Sequence, residues 1–247
     1  MRQDISHILN TWKFIPDELS VRIILGDDQK EKIQIRLDLG LMQLEMDGRP
    51  DGKTPHNRES LFEYYKEKAE QADSETAKFS LSSDECSHLW QEAIQYYHRY
   101  LSFFQMEDFK RAERDTRRNL KLFNFVGNYA CNEDDIQAFE QYRSYVVMMN
   151  TRAKALLQLK QKDYSEALKI IDKGIQTIQH WVEDNDTQGD SDPSDEITFL
   201  KQWAQTIRTT RPLTKRQRLE KALERAVSLQ DFERAAQIRD ELSNLTY

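Results

Sequence analysis

The chain has 247 residues, with Lys+Arg 36 against Asp+Glu 43, a formal net charge of −7, and 32% charged residues. That length allows one large domain or two modest ones with a real core. The acidic balance argues against wholesale coating of nucleic acid, which relies on an excess of Lys and Arg, although a local basic patch stays possible. Only seven Gly and five Pro occur, which favours long helices with few turns. The opening MRQDISHILN lacks the apolar segment of a signal peptide, and no run is long enough to span a bilayer. The two cysteines, Cys86 and Cys131, have neither C-x-x-C spacing nor companion ligands, so they read as reduced thiols in a cytoplasmic protein.

Three segments are expected, at 1–56, 57–207 and 208–247. The first begins with a short helix over Ile5–Trp12. Ser20–Leu25 then reads as a strand, ending at the turn-rich Gly26-Asp27-Asp28. A second apolar series occupies Ile33, Ile35, Leu37, Leu39 and Leu41, and changes parity after Gly40 to Met42, Leu44 and Met46. One strand cannot turn both sets to one face, so a bulge or bend near Gly40 is expected within a two- or three-stranded antiparallel element. Asp47-Gly48-Arg49-Pro50-Asp51-Gly52 closes it as a double turn, where Arg49 and the later His56 read as turn residues rather than ligands.

From Asn57 onward the pattern is helical. The expected helices are Arg58–Gln71, Ser83–Gln105, Asp108–Phe125, Asp134–Leu159, Tyr164–Glu183 and Glu196–Ile207. The aromatic group Tyr96, Tyr97, Tyr100, Phe103 and Phe104 reads as core packing rather than a base-stacking platform. Mixed charges from Lys110 to Lys121 read as a solvated face. A weak repeat marks the turns: Asp108-Phe109 with Ala112, Asp163-Tyr164 with Ala167, and Asp231-Phe232 with Ala235 share one layout. Its clearest copy, Ala155 to Ile175, resembles one tetratricopeptide unit, with Ala155, Tyr164, Ala167, Ile171 and Gly174 at the matching positions. The Asp108 copy departs from that pattern at Tyr100, Thr116 and Asn119. Stacked antiparallel helices follow, either of tetratricopeptide kind or as an ordinary bundle.

Between the last helices, Asp184–Asp195 places Asp184, Asp186, Gln188, Gly189, Asp190, Asp192 and Asp195 at calcium-loop positions. Ser191, Pro193 and the short Asp195 depart from such a loop, and a solvated acidic linker is the better reading. Five basic residues follow, Arg208, Arg211, Lys215, Arg216 and Arg218, in a stretch without acids. They could contact phosphates, an acidic partner or the chain's own acidic loop. Thr214 and Gln217 form a capping box for the next helix.

The closing stretch, Leu219 to Leu245, carries two apolar series at three-and-four spacing. Leu219, Ala222, Leu223, Ala226 and Val227 form one, with Leu229 just beyond. Phe232, Ala235, Ala236, Ile238, Leu242 and Leu245 form the other. Gln230-Asp231 separates them, and Asp231 can cap the second helix. Ala235 and Ala236 allow close approach, with Phe232 filling the space beside them.

This hairpin closely resembles the UVR motif of UvrB, UvrC and the McsA-type and ClpC-type stress proteins. The residues that carry the resemblance are Leu219, Leu223, Asp231-Phe232-Glu233, Ala235-Ala236, Ile238-Arg239-Asp240 and Leu242. The stretch LDLGLMQLEMDGRPDG is similar to the opening of bacterial UVR-motif proteins that have no assigned activity. The resemblance implies docking rather than catalysis, with partners among excision-repair components or AAA+ chaperone and kinase systems.

The expected fold is mainly α, with a small N-terminal antiparallel β element, an antiparallel, tetratricopeptide-like helical body and the hairpin. No catalytic constellation, metal site or cofactor motif is read in the sequence. Phe232, Leu219, Leu223, Ile238 and Leu242 are expected to supply apolar contact to a protein partner or a second copy, and Arg239, Asp240 and Glu233 to orient it by charge. The alternatives are contact with DNA through Arg208–Arg218, or a helix pair that merely closes the helical body.

Overall fold

The computed structural model describes residues 4–74, 78–185, 194–212 and 215–244. Its contacts divide the chain into two compact units, Met1–Gln202 and Trp203–Tyr247. No helix among the described residues is long and apolar enough to cross a membrane.

The first unit opens with α1 (Ser6–Thr11) and a three-stranded antiparallel sheet in the order β1 (Val21–Leu25), β2 (Glu31–Leu37), β3 (Gly40–Glu45). The change of parity at Gly40 is a hairpin, not a bulge: Leu37 pairs with Gly40 across the two-residue turn Asp38-Leu39. A two-residue loop pairs odd positions with even ones, so Ile33 faces Leu44 and Ile35 faces Met42 on one apolar surface. Leu39, an apparent member of the odd series, is 89% exposed at the tip of the turn. The buried Arg36 holds that turn, donating to the carbonyls of Asp38 (3.1 Å) and Gly40 (3.0 Å) and, through Nε, to Trp12 (2.6 Å).

The apolar face of the sheet packs with Phe103, Ala112 and Ala153 of the helical body. That body comprises α2 (Leu61–Ser74), α3 (Ser83–Gln105), α4 (Phe109–Tyr129), α5 (Glu133–Glu140), α6 (Arg143–Lys160) and α7 (Tyr164–Asn185). The helix α8 (Ser194–Thr210) leads into the second unit. Ser82 starts α3 with a full capping box, its side chain accepting from Glu85 N while Glu85 accepts from Ser82 N. The single helix expected over 134–159 is divided at Gln141-Tyr142. Phe139, packed edge-on against Trp90 and Phe123 at centroid distances of 5.2 and 5.5 Å, fixes the end of α5. Arg143 bridges the break by pairing with Glu140 and donating to Asn124 Oδ1 at 2.8 Å. Tertiary packing here overrides an unbroken helical pattern.

A buried polar network joins the β element to α3 and α4. Arg99 grips Asp115 with two bonds of 2.6 and 3.0 Å, and both side chains are 1% exposed. Its remaining nitrogen donates to the carbonyls of Gly48 (2.8 Å) and Glu45 (3.1 Å). Glu92, fully buried, accepts from the first amides of α2, Leu61 (2.8 Å) and Phe62 (3.2 Å), and pairs with Arg49 (3.0 Å) and Arg118. Arg49 is therefore a structural anchor. The carboxylate also sits at the positive end of α2, where helix dipole and free amides favour it.

Candidate functional site

The second unit contains the hairpin α9 (Lys215–Ser228) and α10 (Phe232–Asn244). Ala226, Ala235 and Ile238 form its buried seam, with Leu219, Leu223 and Leu242 packed at the margins. Ile238 is 5% exposed, so its apolar surface is spent inside the hairpin. Four of the five residues expected to meet a partner, Leu219, Leu223, Ile238 and Leu242, thus line the space between the two helices.

Phe232 does not fill the space beside the alanines; it is 70% exposed. As the first residue of α10, its side chain leans toward the helix N-terminus and overhangs the turn. Ala236 is also exposed, because one further residue rotates it about 100° away from the stripe of Ala235, Ile238 and Leu242. Val227 (51% exposed) and Leu229 (70% exposed) share the turn end with Phe232. Sequence periodicity placed Val227 with the inner row and Leu229 just past it; exposure could be read only from coordinates.

The turn is built by local chemistry. Asp231 N donates to Ala226 O (2.9 Å) and Gln230 N to Val227 O (3.0 Å), a Schellman arrangement with Gln230 in the left-handed region at φ +58°. Asp231 Oδ1 then accepts from Arg234 N at 3.1 Å, capping α10.

Among the described residues of the first unit the same turn occurs twice. Asp108 N donates to Phe103 O and Asp163 N to Gln158 O, each at 2.9 Å, after left-handed Glu107 (φ +57°) and Lys162 (φ +62°). Asp108 and Asp163 cap the next helix by accepting from Arg111 N (3.1 Å) and Glu166 N (2.9 Å). The small residue four positions beyond each aspartate is buried in all three copies: Ala112, Ala167 and Ala235. The aromatics differ. Phe109 is 8% exposed and has Lys160 Nζ 4.6 Å above its ring, from the end of α6. Lys160 also donates to Glu107 O at 2.8 Å. Tyr164 is half-buried, and Phe232 is bare.

The charged candidates are spread around this end and along the helices. Glu233, in the first turn of α10, is exposed and complements the helix dipole. Arg239 and Asp240 are each 74% exposed and lie 3.9 Å apart, a loose pair open to other partners. Of the basic stretch, Arg208, Lys215, Arg216 and Arg218 are exposed and Arg211 is half-buried. Arg216 pairs with Glu220 at 2.9 Å. Thr214 lies outside the described residues, as do positions 186–193 of the calcium-like loop and Leu245. Asp184, at the edge of that loop, approaches His180 at 3.5 Å. Among the described residues no cluster of three or more His, Cys, Asp or Glu could hold a metal ion.

Residues 215–246 match the family described as the UvrB/uvrC motif, so the chain carries a UVR motif at its C-terminal end. The match spans both helices and the turn. Neither curated proteins nor solved structures give a match.

Proposed function

We propose that this chain is a non-enzymatic adaptor whose UVR hairpin docks onto a protein partner through its turn end. One observation carries the reading. The turn preceding α4 places Phe109 under a neighbouring helix, whereas the same turn in the hairpin leaves Phe232 70% exposed beside Val227 and Leu229. Three exposed large apolar residues gathered at one end of a helix pair fit an interaction site better than single ones scattered over a surface do.

In this reading the contact is divided between two layers. Phe232, Val227 and Leu229 meet the partner directly. Leu219, Leu223, Ile238 and Leu242 hold the two helices in register behind them. Glu233, Arg239 and Asp240 form the charged rim, which sets orientation more than affinity. Helices of this length are marginal alone, so a partner gains from a hairpin whose turn is already built by Gln230 and Asp231. The motif's known settings make excision-repair, chaperone and stress-response proteins the first partners to try.

The test is Phe232→Arg in the full chain, with association followed by sedimentation and by co-purification. An aromatic anchor of this kind is worth about 2 kcal/mol or more, so association should weaken about thirtyfold. The melting temperature should stay within about 1 °C, because a side chain this exposed contributes little to folding. A variant that associates normally, or that unfolds the chain, overturns the reading.

A further inference from the structure

The aromatic group of α3 encloses more than core. Trp90, Ile94 and Tyr97 from α3, together with Tyr142 and Tyr145, line a cavity of about 450 Å³ that also touches Tyr100, Asn119, Phe123 and Val146. That volume lies within the range of small-molecule sites, which are mostly apolar with a few convergent polar groups.

Among the described residues, no Asp, Glu, Lys or Arg lines the cavity. His98 stands at its wall, and burial pushes its imidazole below the ordinary range, so at neutral pH it is uncharged. The Tyr97 and Tyr145 rings lie with centroids 6.3 Å apart, and Tyr97 packs edge-on against Tyr100 at 5.4 Å. Burial pushes Tyr145 up to about 12 and raises Tyr100 further, so these phenols stay protonated and offer hydrogen bonds without charge. Asn119 is already engaged, donating to Ala93 O at 3.0 Å and accepting from Arg118 at 3.2 Å. The polar edge therefore belongs to the tyrosines and His98, while Trp90 and Tyr142, 5.1 Å apart and inclined at 31°, present ring surface.

We infer that this cavity is a binding site for an uncharged, planar aromatic or heteroaromatic small molecule, stacked against Trp90 and Tyr142 and hydrogen-bonded at one edge by the tyrosine hydroxyls and His98. An anion or a cation would lose its hydration among uncharged lining side chains; the charges of Arg152 and Glu196 lie near Tyr145 but outside that lining. A saturated acyl chain would leave the phenolic edge and the ring stacking unused. A flat heterocycle uses both, since stacking on an aromatic face tolerates any π-system.

The experiment is fluorine NMR of the full chain labelled with 5-fluorotryptophan, the Trp90 signal being assigned with Trp90→Phe. Indole, adenine and dodecanoate are titrated separately. Indole or adenine should shift the Trp90 signal saturably. Tyr142→Ala, which removes a wall that is 45% exposed, should weaken that binding about tenfold. Ala93→Leu, which narrows the cavity from its buried side, should abolish it; if that variant does not fold, Tyr142→Ala carries the test alone. Three results overturn the assignment: no shift with either ring compound, a shift that Tyr142→Ala leaves unchanged, or dodecanoate binding more tightly than both rings. None of these bears on the hairpin, so this site and the docking surface stand or fall separately.

Discussion

Gln230 and Asp231 show how two adjacent side chains define the hairpin. Gln230 takes a backbone conformation that glycine adopts more readily, at φ +58°, and Asp231 satisfies an amide that would otherwise be free at the start of α10. Asp231→Ala should therefore cost about 1 kcal/mol of hairpin stability, read as faster amide exchange along α10 with the first unit unchanged. The buried Arg99–Asp115 pair belongs to a different class. Asp115→Ala leaves a guanidinium that is 1% exposed without its carboxylate, and should lower global stability by about 3–5 kcal/mol in chemical denaturation. The first of these residues was legible in the sequence, because a cap acts within three positions of itself. The second was not. Arg99 and Asp115 look like ordinary surface charges until two helices bring them together, and Glu92 meets Leu61 N across 31 positions.

The short-range rules that found the elements also explain where their edges were misplaced. The sequence reading of α3 as Ser83–Gln105 matches the structure because a capping box marks its start and the Schellman turn at Glu107-Asp108 closes its end. The β hairpin was half visible: the parity change was there, but a bulge and a two-residue turn write the same apolar pattern. The break between α5 and α6 left no local trace, since neither Gly nor Pro stands at Gln141-Tyr142 and Phe139 is fixed by rings from α3 and α4. One position lets helix packing be tested directly. A Cβ on Gly174 of α7 would fall far inside contact distance of the buried Thr151 side chain on α6. Gly174→Ala should thus destabilise the body by about 1–3 kcal/mol, against the gain of about 1 kcal/mol that alanine brings to a helix without such a neighbour. Gly174→Ala combined with Thr151→Ala should recover most of that loss, which separates a packing cause from a change in helix propensity.

At the scale of the molecule, one turn is used three times and finished twice. In the body its aromatic residue is covered or half covered; in the hairpin Phe232 is left bare beside Val227 and Leu229. The repeated aspartate–aromatic layout and the UVR resemblance were both legible in the sequence, but the division of labour within the hairpin was not. Periodicity ranks Phe232, Ile238 and Leu242 alike, and only the coordinates separate a seam from an outer end. That separation makes the docking account open to direct trial. With the photoreactive residue p-benzoylphenylalanine at position 232 of the full chain, irradiation in native lysate should yield adducts joining this chain to a second polypeptide, and Leu229→Arg should suppress them. Adducts formed solely within the same chain would contradict the account and make the hairpin a closing element of its own protein.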